Sequence, residues 1–125
     1  MTERFPPELQ ALLAEEREIE IVTARDEQAP RHSTVIWPVV DDQGRVLVRS
    51  VRGTQGRWFR EAITNPSVAI VARGREIPAT ALLATDEERI AAASEGYKSK
   101  YRRGASVDSM LRDHVLDTTL ELVPR

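Results

Sequence analysis

Residues 49–60, Arg49-Ser50-Val51-Arg52-Gly53-Thr54-Gln55-Gly56-Arg57-Trp58-Phe59-Arg60, hold four arginines and no acid. They straddle a Gly-x-x-Gly loop that leads into a helix predicted over 57–63. A helix start offers free backbone N–H groups and the positive end of a dipole, and arginine forks add paired hydrogen bonds to a phosphate. The pattern therefore suits an anion. It also fits a solvated basic face that pairs with surface acids, so both readings stand on spacing alone.

Little else in the chain suits side-chain catalysis. His32 and His114 lack the spacing of a metal helix, and neither is assigned a catalytic role; no metal site is expected. No serine sits in a nucleophile elbow, and no dinucleotide or phosphate-loop glycine pattern is present. The absence of cysteine removes thiolate nucleophiles, disulfides and thiolate metal sites. An enzyme built from this chain needs a bound organic cofactor for its hard step.

With 125 residues, 41% of them hydrophobic, the chain suits one domain over 1–125, with 1–16 as a helical extension. Eighteen Lys plus Arg against twenty Asp plus Glu exclude a whole-surface field for nucleic acid. Any basic site must be local. The amino end lacks the basic flank and apolar run of a secretion signal, and no stretch approaches the roughly 20 apolar residues of a membrane span. A cytoplasmic protein without nucleic-acid or membrane partners is expected.

The elements that must position the arginines follow from periodicity. Pro6 and Pro7 open a helix over 6–16 with Leu9, Leu12 and Leu13 on one side. Ile19, Ile21 and Thr23 alternate as a strand, followed by a polar loop over 25–31. Residues 32–40 form a strand that is apolar on both faces, turning at 41–44 into a hairpin partner over 45–51. Asn65-Pro66 ends the short helix, and 68–72 with 77–84 make a second hairpin in which Pro78 requires an edge or bulge. Thr85 with Glu88 reads as a capping box for a helix striped by Ile90, Ala93, Tyr97 and Tyr101, with Arg102 and Arg103 near its end and Gly104 as its stop. Val107, Met110, Leu111 and His114 suggest one further helical turn, and alternation from Leu116 to Leu122 a closing strand.

The strand over 32–40, the hairpin end at Arg49 to Gly53, the helix start Arg57-Trp58-Phe59-Arg60, the Asn65-Pro66 stop and the strand from Val68 to Val71 together resemble a known clan. This is the split-barrel flavin-binding clan of pyridoxamine-phosphate oxidases and deazaflavin-dependent nitroreductases, and within it an uncharacterised family of small actinobacterial-type proteins. Tyr97-Lys98-Ser99-Lys100-Tyr101 and Thr118 to Pro124 resemble that family's ending. The resemblance covers about residues 17–124. It implies a mainly β (α+β) fold, a split barrel of about six antiparallel strands with helical connections, assembled as a homodimer with its sites at the interface. It also implies FMN or a deazaflavin as cofactor and a small organic molecule as substrate.

Carried over by position, Thr34, Val35, Ile36 and Trp37 would lie along the cofactor ring. Arg49, Ser50 and Arg52, with Gly53 and Gly56 in the loop and Arg57 beyond it, would hold the ribityl phosphate, and Trp58 would follow on the helix. Deazaflavin-dependent relatives carry a small, basic loop after the first strand, whereas this chain has Asp26 and Glu27 there. Those acids disfavour an extended anionic tail and leave FMN and deazaflavin both open. Trp37 and Trp58 also suit core packing. A non-catalytic module that binds a flavin, a haem-like or other anionic ligand, or a protein partner is the alternative.

Overall fold

Alternating apolar residues in the computed structural model, which describes residues 3–101 and 105–125, build a sheet whose edges are neighbours in sequence. In chain order the elements are α1 (Pro7–Glu15), β1 (Ile19–Thr23), β2 (His32–Ile36), β3 (Val39–Val40) and β4 (Val46–Val48). There follow a 3-10 turn (Gly53–Gln55), α2 (Arg57–Thr64), β5 (Ser67–Ala72), β6 (Arg75–Leu83), α3 (Glu87–Lys100), α4 (Ala105–Met110), α5 (Asp113–Leu116) and β7 (Leu120–Pro124). Every strand pair is antiparallel, and the order across the sheet is β2-β1-β5-β6-β7-β4-β3. Only Trp37 and Pro38 separate the edge strands β2 and β3. Consecutive Cα atoms are about 3.8 Å apart, so Ile36 and Val39 lie within roughly 11 Å of each other. The sheet must curl until its edges nearly meet, which makes it a split barrel.

The inward faces of the strands form one core, with Ile21, Ile70, Leu120 and Leu122 among its buried members, and Leu9 and Leu13 of α1 and Trp58, Phe59 and Ala62 of α2 pack against it. A second core lies outside the barrel wall, where Val39 and Leu47 meet Ala93, Tyr97, Tyr101, Val107, Met110 and Val115. β4 is therefore buried on both faces. Burying a side chain such as Val or Leu stabilises by about 1.5–3 kcal/mol. Here the cover over Val39 and Leu47 comes from the chain's own helices.

Several boundaries differ from expectation. Trp37-Pro38 divides the strand expected over 32–40, which accounts for seven strands in place of about six. β4 stops at Val48, and Arg49 and Ser50 leave the ladder. Asp86, not Thr85, caps α3, its carboxylate accepting from the Arg89 N–H at 3.0 Å. The turn expected around 107–114 is two short helices. β7 begins at Leu120, because Leu116 closes α5 and the Thr118 and Thr119 hydroxyls donate to Val115 and Leu116 carbonyls at 2.7 and 2.8 Å. Pro78 lies within a central strand, one residue beyond the last β6–β7 pair, Ala79 with Pro124, and so at a local edge. Arg102, Arg103 and Gly104 lie outside the described residues. Among the described residues no helix is long and apolar enough to cross a membrane.

Candidate functional site

A cleft of about 620 Å³ opens where the barrel is split. Thr34, Val35, Ile36 and Trp37 form one wall; Arg49, Ser50 and Arg52 leave β4 on the other; Gly56, Arg57 and Trp58 close it with the start of α2. The structure thus brings together ten of the eleven residues named from sequence, and Gly53 alone stands behind the lining. Val51, Ser109 and Met110 complete the cleft. Ser109 carried no signal in the sequence, since a helical serine gives no hint of what faces it.

The loop before α2 is built by local contacts. Ser50 Oγ donates to the Gly53 carbonyl at 2.9 Å, and the Ser50 N–H donates to Thr118 Oγ1 at 2.9 Å. Gly53 has φ +70°, a region that favours glycine. A β-carbon on Gly56 would collide with Ser50 Oγ, so the close approach needs glycine there too. Gly56 precedes α2 in extended conformation, and no side chain caps the helix. Gly56, Arg57 and Trp58 at this helix start line the cleft, and first-turn N–H groups have no partner within the helix.

The four arginines divide into two kinds. Arg49 is buried, and its guanidinium donates to Thr119 Oγ1 at 2.9 Å, the Met110 carbonyl at 3.0 Å and the Ile90 carbonyl at 2.8 Å. Burial lowers its pKa from the usual arginine value, with Tyr97 opposing the shift. Arg49 therefore ties the strand exit to α3 and α4, and its charge is committed to the protein. Arg52, Arg57 and Arg60 are exposed and form no ion pair among the described residues, although Arg60 does not border the cleft. Their uncancelled charge lies at an uncapped helix start.

The Trp37 wall is held from behind. Its ring stacks on Tyr101 with centroids 4.4 Å and planes 8° apart. Tyr97 Oη donates to the Trp37 carbonyl at 2.7 Å, while Lys100 Nζ donates to the Pro38 carbonyl at 2.7 Å and the Leu13 carbonyl at 2.9 Å. Burial pushes the Lys100 ammonium down to about 8, and it pushes the Tyr97 and Tyr101 hydroxyls up. Tyr97 and Tyr101 are thus core residues, as their stripe implied.

A polar chain outside the cleft lining joins β1, β2 and α2, and the sequence carries no signal for it. His32 Nδ1 is 2.9 Å from Glu61 Oε2 and 3.2 Å from Oε1, and Thr23 Oγ1 donates to Glu61 Oε1 at 2.7 Å. The Glu61 side chain is only 12% exposed. Asp26 and Glu27, which the sequence set against an anionic tail, are exposed and outside the cleft lining. Asp26 Oδ1 accepts the N–H groups of Gln28 and Ala29 at 2.9 Å each and so shapes its own loop.

Comparison with known proteins bears on this geometry. A family model described as "Uncharacterized protein conserved in bacteria (DUF2255)" matches residues 8–122. No curated protein matches the sequence. Among solved structures, the chain is similar to the F420-H2 dependent reductase FDR-A, with a TM-score of 0.64, 15% identity and coverage of 86% of this chain and 94% of that one. It is similar to the heme storage protein HutZ from Vibrio cholerae, at 0.61 and 20%, covering 98% and 91% of the two chains. A putative pyridoxamine 5'-phosphate oxidase from Listeria innocua aligns at 0.62 and 16%, covering 92% and 87%. At these identities the likeness concerns the fold, a split barrel.

Proposed function

The chain belongs to the bacterial family DUF2255, and from that premise and the cleft we propose that it is a flavin-type oxidoreductase using FMN or a deazaflavin on a small organic substrate. The observation that carries the reading is the pairing of an uncapped α2 start with two exposed arginines outside any ion pair, Arg52 and Arg57, in a cleft whose lining also offers Val35, Ile36, Trp37, Trp58 and Met110. A volume of about 620 Å³ falls within the usual ~300–1,000 Å³ of cofactor sites. Arg52, Arg57 and the first-turn N–H groups would take the phosphate, while Ile36, Trp58 and Met110 offer apolar surface to a ring. Arg49 is left out of the phosphate grip because it is buried and each of its three nitrogens already donates within the protein. The fold shared with an F420-H2 dependent reductase and a pyridoxamine 5'-phosphate oxidase supports the same reading.

When bound, such a ring supplies hydride chemistry. The chain's own residues orient it, neutralise its phosphate and exclude water. We further propose a cytoplasmic homodimer, in which a second copy covers Val35 and Val51, the cleft residues that are 58% and 52% exposed. A non-catalytic binding module is favoured by one observation: the lining contains no histidine and no carboxylate.

Arg57→Ala tests the cofactor reading. The expected outcome is FMN binding weakened by about 1.5–3 kcal/mol, the scale of a charge-assisted hydrogen bond, with riboflavin, which lacks the phosphate, bound as before. Titration calorimetry on both proteins with both ligands measures this. Equal losses for the two ligands would assign Arg57 to the ring or the fold. A wild type that binds neither FMN nor deazaflavin would end the reading, and one that binds either cofactor without turning it over with NAD(P)H or substrate would favour the module.

A further inference from the structure

A second cleft, of about 580 Å³, shares no lining residue with the first and is walled by α3, the β3–β4 hairpin and the end of α1. Asp41, Asp42, Glu88 and Glu95 are its acids, and Arg45 and Lys100 its basic residues. Arg45 is paired with Asp41 at 2.6 Å and with Glu88 at 2.7 Å. Lys100 is half-buried and, among the described residues, enters no ion pair. The chain's other lysine, Lys98, is exposed and lies 3.5 Å from Glu95.

The Lys100 nitrogen is held by backbone alone. It donates to the Pro38 carbonyl at 2.7 Å and to the Leu13 carbonyl at 2.9 Å. Those carbonyls belong to the peptide groups that enter Val39 and Ala14, both lining residues, so the nitrogen rests against the cleft wall. An ammonium has three N–H donors and a free amine two, so two carbonyls match the free amine and leave its lone pair unused. The titration agrees: burial brings this group down to about 8, with Glu16 opposing the shift and Arg17 adding to it. The other titratable groups around it are the cleft's four acids, Arg45, and the Tyr101 hydroxyl, which donates to the same Pro38 carbonyl at 3.1 Å. A desolvated lysine with a free lone pair is a nucleophile towards carbonyl carbon.

The charge of the cleft selects the electrophile. Four carboxylates against Arg45 and Lys100 repel phosphate and carboxylate groups, whereas an uncharged carbonyl compound meets no such barrier. We propose that Lys100 is a covalent capture site for small uncharged aldehydes, separate from the cofactor cleft. The amine lone pair forms a bond to the aldehyde carbon, and the C–O bond breaks. The departing oxygen takes one proton from the amine and one from solvent and leaves as water. The product is a protonated imine, and nothing is oxidised or reduced. Its one remaining N–H serves one carbonyl, so capture gives up the bond to either Leu13 or Pro38.

The test treats the full chain at pH 7 with propanal and sodium cyanoborohydride, which fixes the imine as a propylamine, and maps the label by tandem mass spectrometry. Lys100 is expected to be labelled about tenfold faster than Lys98, or more. The preference is expected to vanish in concentrated urea, because it is built by the fold. With glyoxylate, an aldehyde that carries a carboxylate, the ratio of Lys100 to Lys98 labelling is expected to fall at least about threefold below that for propanal, and Asp42→Asn to narrow the difference. Labelling of Lys100 no faster than Lys98, or a preference that survives in urea, overturns the site. Equal ratios for propanal and glyoxylate overturn the selection of uncharged aldehydes.

Discussion

The guanidinium carbon of Arg49 lies 5.8 Å from the centroid of the Tyr97 ring, and both side chains are buried between the barrel wall and α3. Three hydrogen bonds and an aromatic face surround that charge. Arg49→Met leaves the Ile90 and Met110 carbonyls and the Thr119 hydroxyl without their partner, and removing donors from buried acceptors costs about 1–3 kcal/mol each before relaxation. The expected outcome is a loss of about 2–4 kcal/mol in urea unfolding, with Arg49→Lys nearly as damaging because an ammonium cannot span the three acceptors. Arg57→Ala, by contrast, is expected to unfold within about 0.5 kcal/mol of wild type.

Gly56 and Ser50 are coupled through space. Gly56→Ala sets a β-carbon against Ser50 Oγ, while the next neighbour, the Gly53 carbonyl, lies at an ordinary 3.5 Å. Overpacking of this kind destabilises by about 1–3 kcal/mol. In a Ser50→Ala background the colliding atom is gone, so the same substitution is expected to cost less than about half as much. A double-mutant cycle on unfolding free energies measures the coupling, and additivity of the two changes would show that the loop absorbs the extra methyl elsewhere.

Lys100 makes stability depend on pH in the alkaline range. Its folded-state value of about 8 lies below the 10.5 of an unperturbed lysine, with burial as the main cause. Between those limits the folded chain has released a proton that the unfolded chain still binds, so this group's contribution to stability rises with pH from about 8 towards 10.5 and is constant below 8. Lys100→Met is expected to flatten that rise, which thermal melts at intervals between pH 7 and pH 10 would detect. An unchanged profile would place the dependence on other groups.

Assembly is open to a direct measurement. Light scattering at micromolar concentration is expected to give about twice the chain mass, and Val35→Glu or Val51→Glu to return it to one, because a charge at a covered apolar contact opposes association. A wild type of single-chain mass would remove the second copy from the site.

The sequence made the barrel legible wherever one rule acted alone. Ile19, Ile21 and Thr23 alternate, and β1 follows; Asn65-Pro66 stops α2 where it must. Elsewhere two rules competed. Residues 32–40 are β-formers throughout, but Pro38 cannot extend the ladder, and two tyrosines and a lysine from far along the chain seize the Trp37 and Pro38 carbonyls. Thr118 and Thr119 continue an alternating pattern, yet their hydroxyls bond back to α5 and delay β7. The arginine run gave the place of the cleft and not its division of labour, since burial of Arg49 depends on the Thr119, Met110 and Ile90 acceptors, none of them local. The His32–Glu61 pair joins residues 29 positions apart by tertiary packing alone.

One long wall of the cleft belongs to β2 and the other to the segment that leaves β4, and along the sheet those two strands are separated by β1, β5, β6 and β7. The cleft's width is consequently bounded locally by the two-residue Trp37-Pro38 link between β2 and β3, and within that bound it follows the accumulated curl of every strand between them, much as the gap of hinged callipers reports the bend of the whole arc. A change in twist of a degree or two per strand, far from any lining residue, would widen or narrow the gap while leaving each wall intact. Substitutions in β5 or β6 that barely disturb unfolding should then surface as altered ligand affinity, and a ligand that bridges the walls should stiffen strands it never touches.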